Sequence, residues 1–135
     1  MSAKPNDALR IQEMYDVATQ TLAQFEDLGL TEEQFLNPTS AQEDLVADGL
    51  VNRVLRVTEE GGKLSEELAE YGFEMREMSA LRNRIAHAYG TVDKAIVWQV
   101  LVEEFPALVE SCERYCEEQG LYLMKTWEEE TSDDE

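Results

Sequence analysis

The sequence predicts an all-α protein, an antiparallel bundle of four or five helices. Three observations carry that expectation. Apolar residues recur at three- and four-residue steps along most of the chain, no period-2 alternation lasts beyond a few residues, and helix start and stop signals punctuate the pattern. Helices joined by loops this short pack beside one another with neighbours antiparallel. At 135 residues and 43% hydrophobic content, the chain is long enough for a single apolar core without staples.

Each element has its own warrant. Pro5-Asn6-Asp7 supplies start signals, and Ile11, Met14, Tyr15, Ala18, Leu22 and Phe25 form one stripe that Gly29 ends. Thr31-Glu-Glu-Gln34 fits a capping box and opens a short turn carrying Phe35 and Leu36. Ser40-Ala-Gln-Glu43 is a second such box, before a long helix with Ala47, Leu50, Val51, Val54, Val57 and Thr58 on one side. Gly61-Gly62 either ends that helix or lets another backbone come close. Leu64 to Tyr71 is a separate piece, closed by Gly72. Beyond it, Met78, Leu81, Ile85 and Tyr89 place the next helix against the core until Gly90. Thr91 or Asp93 caps the last long helix, striped by Val97, Leu101, Phe105, Leu108, Cys112 and Tyr115. Pro106 stands inside that stripe and predicts a kink or a break. After Gly120, Leu121, Tyr122, Leu123 and Trp127 suggest a docked segment before an acidic end. The organisation expected is one domain over residues 1–126 and a disordered acidic tail over 127–135.

Composition narrows the function. Thirty Asp and Glu against eleven Lys and Arg give a formal charge of −19. Broad, nonspecific nucleic-acid binding needs the opposite sign, because phosphates are neutralised by Lys and Arg. The charge favours solubility, a basic partner or a salt-rich cell interior. It is uneven, with Arg76, Arg82, Arg84 and Lys94 in one short window. No apolar run reaches bilayer length and the first residues lack an apolar signal core, so the cytoplasm is expected and no membrane partner. Cys112 and Cys116 lie four apart with no second Cys or His pair, which argues against zinc and for two small, partly buried side chains. No glycine-rich phosphate loop and no Glu-x-x-His pair occurs, so no metal and no cofactor is expected.

The chemistry concentrates in Leu81-Arg82-Asn83-Arg84-Ile85-Ala86-His87-Ala88-Tyr89, which holds the only histidine. Its pattern is Arg-x4-His-x-Tyr. Histidine exchanges protons near neutral pH, and arginine holds phosphate through a planar fork of donors. Together they suit the attack of an RNA 2′-hydroxyl on its neighbouring phosphate, a step that requires no metal. Asn83 lies four before His87 and is placed to orient the imidazole. Geometry raises an objection: five residues apart on a regular helix, Arg82 and His87 point about 140° from one another. Either the helix is distorted near Gly90, or two copies meet and share a cleft, which predicts a homodimer. On spacing alone the same residues also read as surface side chains of a bundle.

The segment resembles the Arg-x4-His-x-Tyr signature of HepT-like proteins, within the HEPN superfamily of helical ribonucleases. Val57-Thr-Glu-Glu-Gly-Gly-Lys-Leu64 sits where those proteins carry a Gly-Glu-Ala-Ala-like stretch, and Phe105-Pro106-Ala-Leu108 is similar to their closing helix. The similarity spans roughly residues 7 to 115. It implies a HEPN-like bundle, a homodimer with both motifs lining a composite cleft, and a metal-independent endoribonuclease toxin. By the same resemblance His87 is the general acid and base and Arg82 stabilises the scissile phosphate; Arg84, beside them in the segment, is a candidate for a further phosphate contact. The implied antitoxin is a minimal nucleotidyltransferase (MNT) that can transfer AMP to Tyr89. A second expectation is a non-catalytic HEPN scaffold subunit of such a nucleotidyltransferase; a third is a structural helical dimer that retains the motif.

Overall fold

The computed structural model describes residues 5–86 and 92–128. His87, Tyr89 and Gly90, together with the acidic residues from 129 onward, lie outside the described residues. Among the described residues every regular element is helical, as the apolar spacing predicts.

Helix α1 (Pro5–Leu28) buries Ile11, Met14, Tyr15 and Ala18 along one stripe. Thr19 and Thr21 are buried too, and their hydroxyls donate to the carbonyls of Tyr15 and Val17, both at 2.7 Å. Their polarity is thereby satisfied inside the helix. Thr31 closes the expected capping box on the short α2 (Glu32–Leu36). Helix α3 (Ala41–Gly61) starts at Ser40, whose hydroxyl accepts from the Glu43 N–H, but here the box is skewed. The Glu43 carboxylate accepts from the N–H of Thr39 at 2.9 Å, one residue ahead of the cap. All six apolar-face residues expected on α3 are buried.

Side chains fix how α1 and α3 pair. Arg10 meets Glu60 at 2.9 Å, Arg56 meets Glu13 at 2.8 Å, and Arg53 donates to Thr21 and Gln24. The start of one helix faces the end of the other, so they run antiparallel. A further helix, α6 (Phe105–Gln119), covers the other flank of α1, where the Tyr15 hydroxyl donates to Glu113 at 3.1 Å. Burial and that carboxylate push the Tyr15 phenol up to about 12. At the far end, Trp98 sits edge-on to Phe25 with centroids 5.1 Å apart and also meets Phe35 at 5.6 Å.

Gly61 and Gly62 do both things the sequence allows. They end α3, and they let helix α4 (Met75–Ala86) approach. A Cβ on Gly61 would overlap the Met78 thioether, and one on Gly62 would overlap the Ser79 hydroxyl. Between α3 and α4 lies a 3₁₀ turn, Glu66–Tyr71, where the Ser65 N–H donates to the buried Asp7 carboxylate at 3.1 Å.

Asp93 caps helix α5 (Lys94–Gln99). Pro106 causes no break in the helical path beyond it. A π turn, Val100–Glu104, joins α5 to α6, and Pro106 falls at the first positions of α6. There its missing N–H costs no hydrogen bond, because the wider turn has already displaced the α-ladder. Cys112 and Cys116 are fully within the core rather than partly buried, and burial raises both thiols.

Past Gly120 the chain turns back along α1. Gln12 exchanges hydrogen bonds with the Met124 backbone, the Thr126 N–H donates to Asp16 at 2.8 Å, and the Trp127 indole donates to Thr19 at 3.1 Å. The boundary expected between 126 and 127 thus falls inside a docked stretch. Of the four residues expected there, Leu123 and Trp127 pack while Leu121 and Tyr122 stay exposed.

Gly61→Val should strain the α3–α4 contact. Overpacking costs about 1–3 kcal/mol, and the mobile ends of Met78 and Met14 that it meets place this change at the low end; chemical denaturation should show a slightly lower midpoint at unchanged slope, and an unaltered midpoint would contradict the strain.

Candidate functional site

Helix α4 carries the described half of the motif. Ile85 is fully buried, with Met78 and Leu81 partly so, and these three set the rotation of the helix about its axis. The positions between them take their directions from that rotation. Arg82 points to the α3 side, its Nε 3.7 Å from the Glu59 carboxylate, and keeps 42% of its side-chain exposure. Asn83 is exposed, and so is Arg84. Arg84 leaves the opposite flank of α4 and lines a groove of about 490 Å³. The two arginines are not brought together. His87 and Tyr89, the remaining motif residues, lie outside the described residues.

The groove runs between α4 on one side and the π turn and the start of α6 on the other. Its floor is apolar, built from Val57, Leu81, Val100 and Phe105. Glu74, Glu77 and Glu104 stand along it with Arg84. The Glu74 carboxyl is pushed up from its ordinary value, first by its hydrogen bond with Glu77, then by the Glu77 charge, by burial and by the Glu104 charge. Like charges this close favour one shared proton. No ion pair joins Arg84 to a described residue.

On the Arg82 side the charges alternate. Glu59 lies between Arg82 and Lys63, with Oε1 facing the guanidinium and Oε2 facing the ammonium at 3.6 Å. Sequence reasoning does not reach Glu59, because thirty carboxylates give no ground for singling one out. The available signal is its four-residue spacing to Lys63 across the diglycine. Among the described residues no group of three or more His, Cys, Asp or Glu side chains is placed to hold a metal ion. No described helix is long and apolar enough to cross a membrane.

With this geometry in place, comparison with known proteins is decisive on one point. A family model described as Ribonuclease HepT-like matches residues 18–115. The chain belongs to the HepT-like ribonuclease family. The matched span takes in α2 to α5, most of α6 and the whole of Arg82–Tyr89, and it leaves out about the first half of α1 and the segment after Gly120. No curated protein and no solved structure matches the chain. Membership of a HepT-like family places the chain with ribonucleases, a class whose substrate is RNA.

The crowded carboxylates give a pH signature. A carboxyl whose folded value is raised supports the fold while protonated, fully so below its unfolded value, and loses that support as pH rises through the folded value. Glu74→Gln should therefore raise the denaturation midpoint at pH 7, and the gain should vanish below the ordinary carboxylate range. A gain equal at pH 3.5 and pH 7, on thermal unfolding, would mean the repulsion is absent.

Proposed function

We propose that this HepT-like protein is a metal-independent endoribonuclease and the toxin of a toxin–antitoxin pair. The observation that carries the reading is the match across the entire Arg82–Tyr89 segment, together with an Arg82 guanidinium that remains half-exposed on the surface of α4. In the reaction, His87 takes the proton from an RNA 2′-hydroxyl as that oxygen attacks the adjacent phosphorus. The bond to the 5′-oxygen breaks and that oxygen receives a proton, leaving a 2′,3′-cyclic phosphate and a free 5′-hydroxyl. Arg82 neutralises the charge that grows on the phosphoryl oxygens, and Asn83 orients the imidazole. Arg84, on the other flank of α4, faces away from that phosphate.

The working unit is a homodimer, and the groove supports this. Glu77, Ala80, Leu81 and Arg84 all line it, so α4 presents an acid, two apolar residues and a base along one face. Glu77 and Arg84 are seven residues, or about two turns, apart. Two such faces meeting about a two-fold axis near Ala80 and Leu81 would set each Arg84 opposite the Glu77 of the second copy, a self-complementary pattern. The expected antitoxin is a minimal nucleotidyltransferase that transfers AMP from ATP to the Tyr89 oxygen with release of pyrophosphate. A phosphate added there repels incoming RNA. The −19 charge favours a second reading, a non-catalytic scaffold subunit for that nucleotidyltransferase. The domain we assign takes in the docked stretch through Trp127, and the place of action is the cytoplasm.

Cleavage of a structured RNA should fall by about 10²–10⁴ in His87→Ala and be lost in the double variant with Arg82→Ala; equal cleavage by wild type and double variant selects the scaffold reading. Intact-mass measurement after mixing with the nucleotidyltransferase and ATP should show AMP on the wild type and none on Tyr89→Phe.

A further inference from the structure

Two kinds of ion pair occupy the α3 surface. Arg10–Glu60 and Arg56–Glu13 are closed at 2.9 and 2.8 Å, within the range of charge-assisted hydrogen bonds, and both tie α3 to α1. Arg82–Glu59 and Lys63–Glu59 are open, at 3.7 and 3.6 Å, with every partner roughly half-exposed. Pairs this loose and this wet contribute little to holding the fold together. One carboxylate therefore keeps two cations apart and weakly engaged, one oxygen to each. The placement is set by the fold: Gly61 and Gly62 bring α4 against the end of α3, so that Arg82 and Lys63 arrive on either side of Glu59.

A phosphodiester carries the same single negative charge as that carboxylate and also offers two outer oxygens. We propose that Arg82 and Lys63 form a seat for an RNA phosphate, closed in the free protein by Glu59, which the incoming phosphate displaces. This rests on the ribonuclease reading above, and it adds Lys63 as a binding residue and Glu59 as a stand-in for substrate. The displaced carboxylate turns into water, where it is already 46% exposed. On a chain of net charge −19, such an arrangement keeps the seat electrically closed until a phosphate occupies it. Phosphates then compete with one internal carboxylate instead of meeting two bare cations, which disfavours weak anions.

The test is binding of a fluorescent 2′-O-methyl RNA oligonucleotide, which has no 2′-hydroxyl to attack, read by anisotropy over a range of salt. Glu59→Gln should bind about two- to fivefold more tightly than wild type, the range one exposed charge pair supplies. Lys63→Met should bind more weakly by a similar factor and lower the slope of log K against log salt by about 0.7, one phosphate contact on a single strand. Glu117→Gln, the same charge change on the exposed face of α6, should match wild type. The seat is overturned if Glu59→Gln binds no more tightly than wild type, if Lys63→Met leaves affinity and slope unchanged, or if Glu117→Gln tightens binding as much as Glu59→Gln. Because the oligonucleotide cannot be cleaved, the seat can fail while the ribonuclease reading stands; that reading fails instead if Arg82→Ala and His87→Ala leave cleavage of ordinary RNA untouched.

Discussion

Helix α4 lies close against the end of α3, an approach eased by the missing side chains of residues 61 and 62. That contact places most of what matters on this surface. It sets the depth at which Ile85 enters the core, and hence the rotation that sends Arg82 to one flank and Arg84 to the other. Helix α3 ends there, and the Lys63 ammonium stays beside Glu59. Close packing makes such a contact sensitive to an added methyl group, which the Met78 thioether or the Ser79 hydroxyl would have to move to admit.

Electrostatics on this protein is a matter of local arrangement rather than total. Among the described residues five cations are held in ion pairs by carboxylates. The carboxylates are in excess, and where they crowd, as at Glu74 and Glu77, a proton is retained more readily to relieve them. An acidic body is therefore compatible with a cationic point of contact, provided the cations are gathered by the fold and long-range repulsion is screened, which takes only about 10 Å at ordinary ionic strength.

The helices are legible in the sequence because their signals are local. A threonine three residues ahead of a glutamine, or a stripe from Ala47 to Thr58, carries its own structural consequence. Pro106 is legible only as a disturbance: the residue announces that an α-ladder cannot continue, but a π turn and a break satisfy it equally. The skewed cap at Thr39 and the depth of Cys112 depend on neighbours brought by tertiary packing, which spacing does not encode. For the site, the motif marks the helix that carries it, and spacing alone already shows that one straight helix separates its working groups. The Arg82–Glu59–Lys63 arrangement is hidden, since Arg82 stands 23 residues from Glu59 and 19 from Lys63 in the sequence. Only a close contact of the folded chain joins them.

The C-terminal strap has a consequence in time. Met124, Thr126 and Trp127 meet Gln12, Asp16 and Thr19, three positions at four- and three-residue steps and so on one face of α1. Those partners are 108 to 112 residues distant along the chain. A nascent polypeptide emerges from its N-terminus, so α1 leaves the ribosome well before the strap is made. The face of α1 that bears Gln12, Asp16 and Thr19 is thus without this cover until synthesis reaches residues beyond the segment shared with the family.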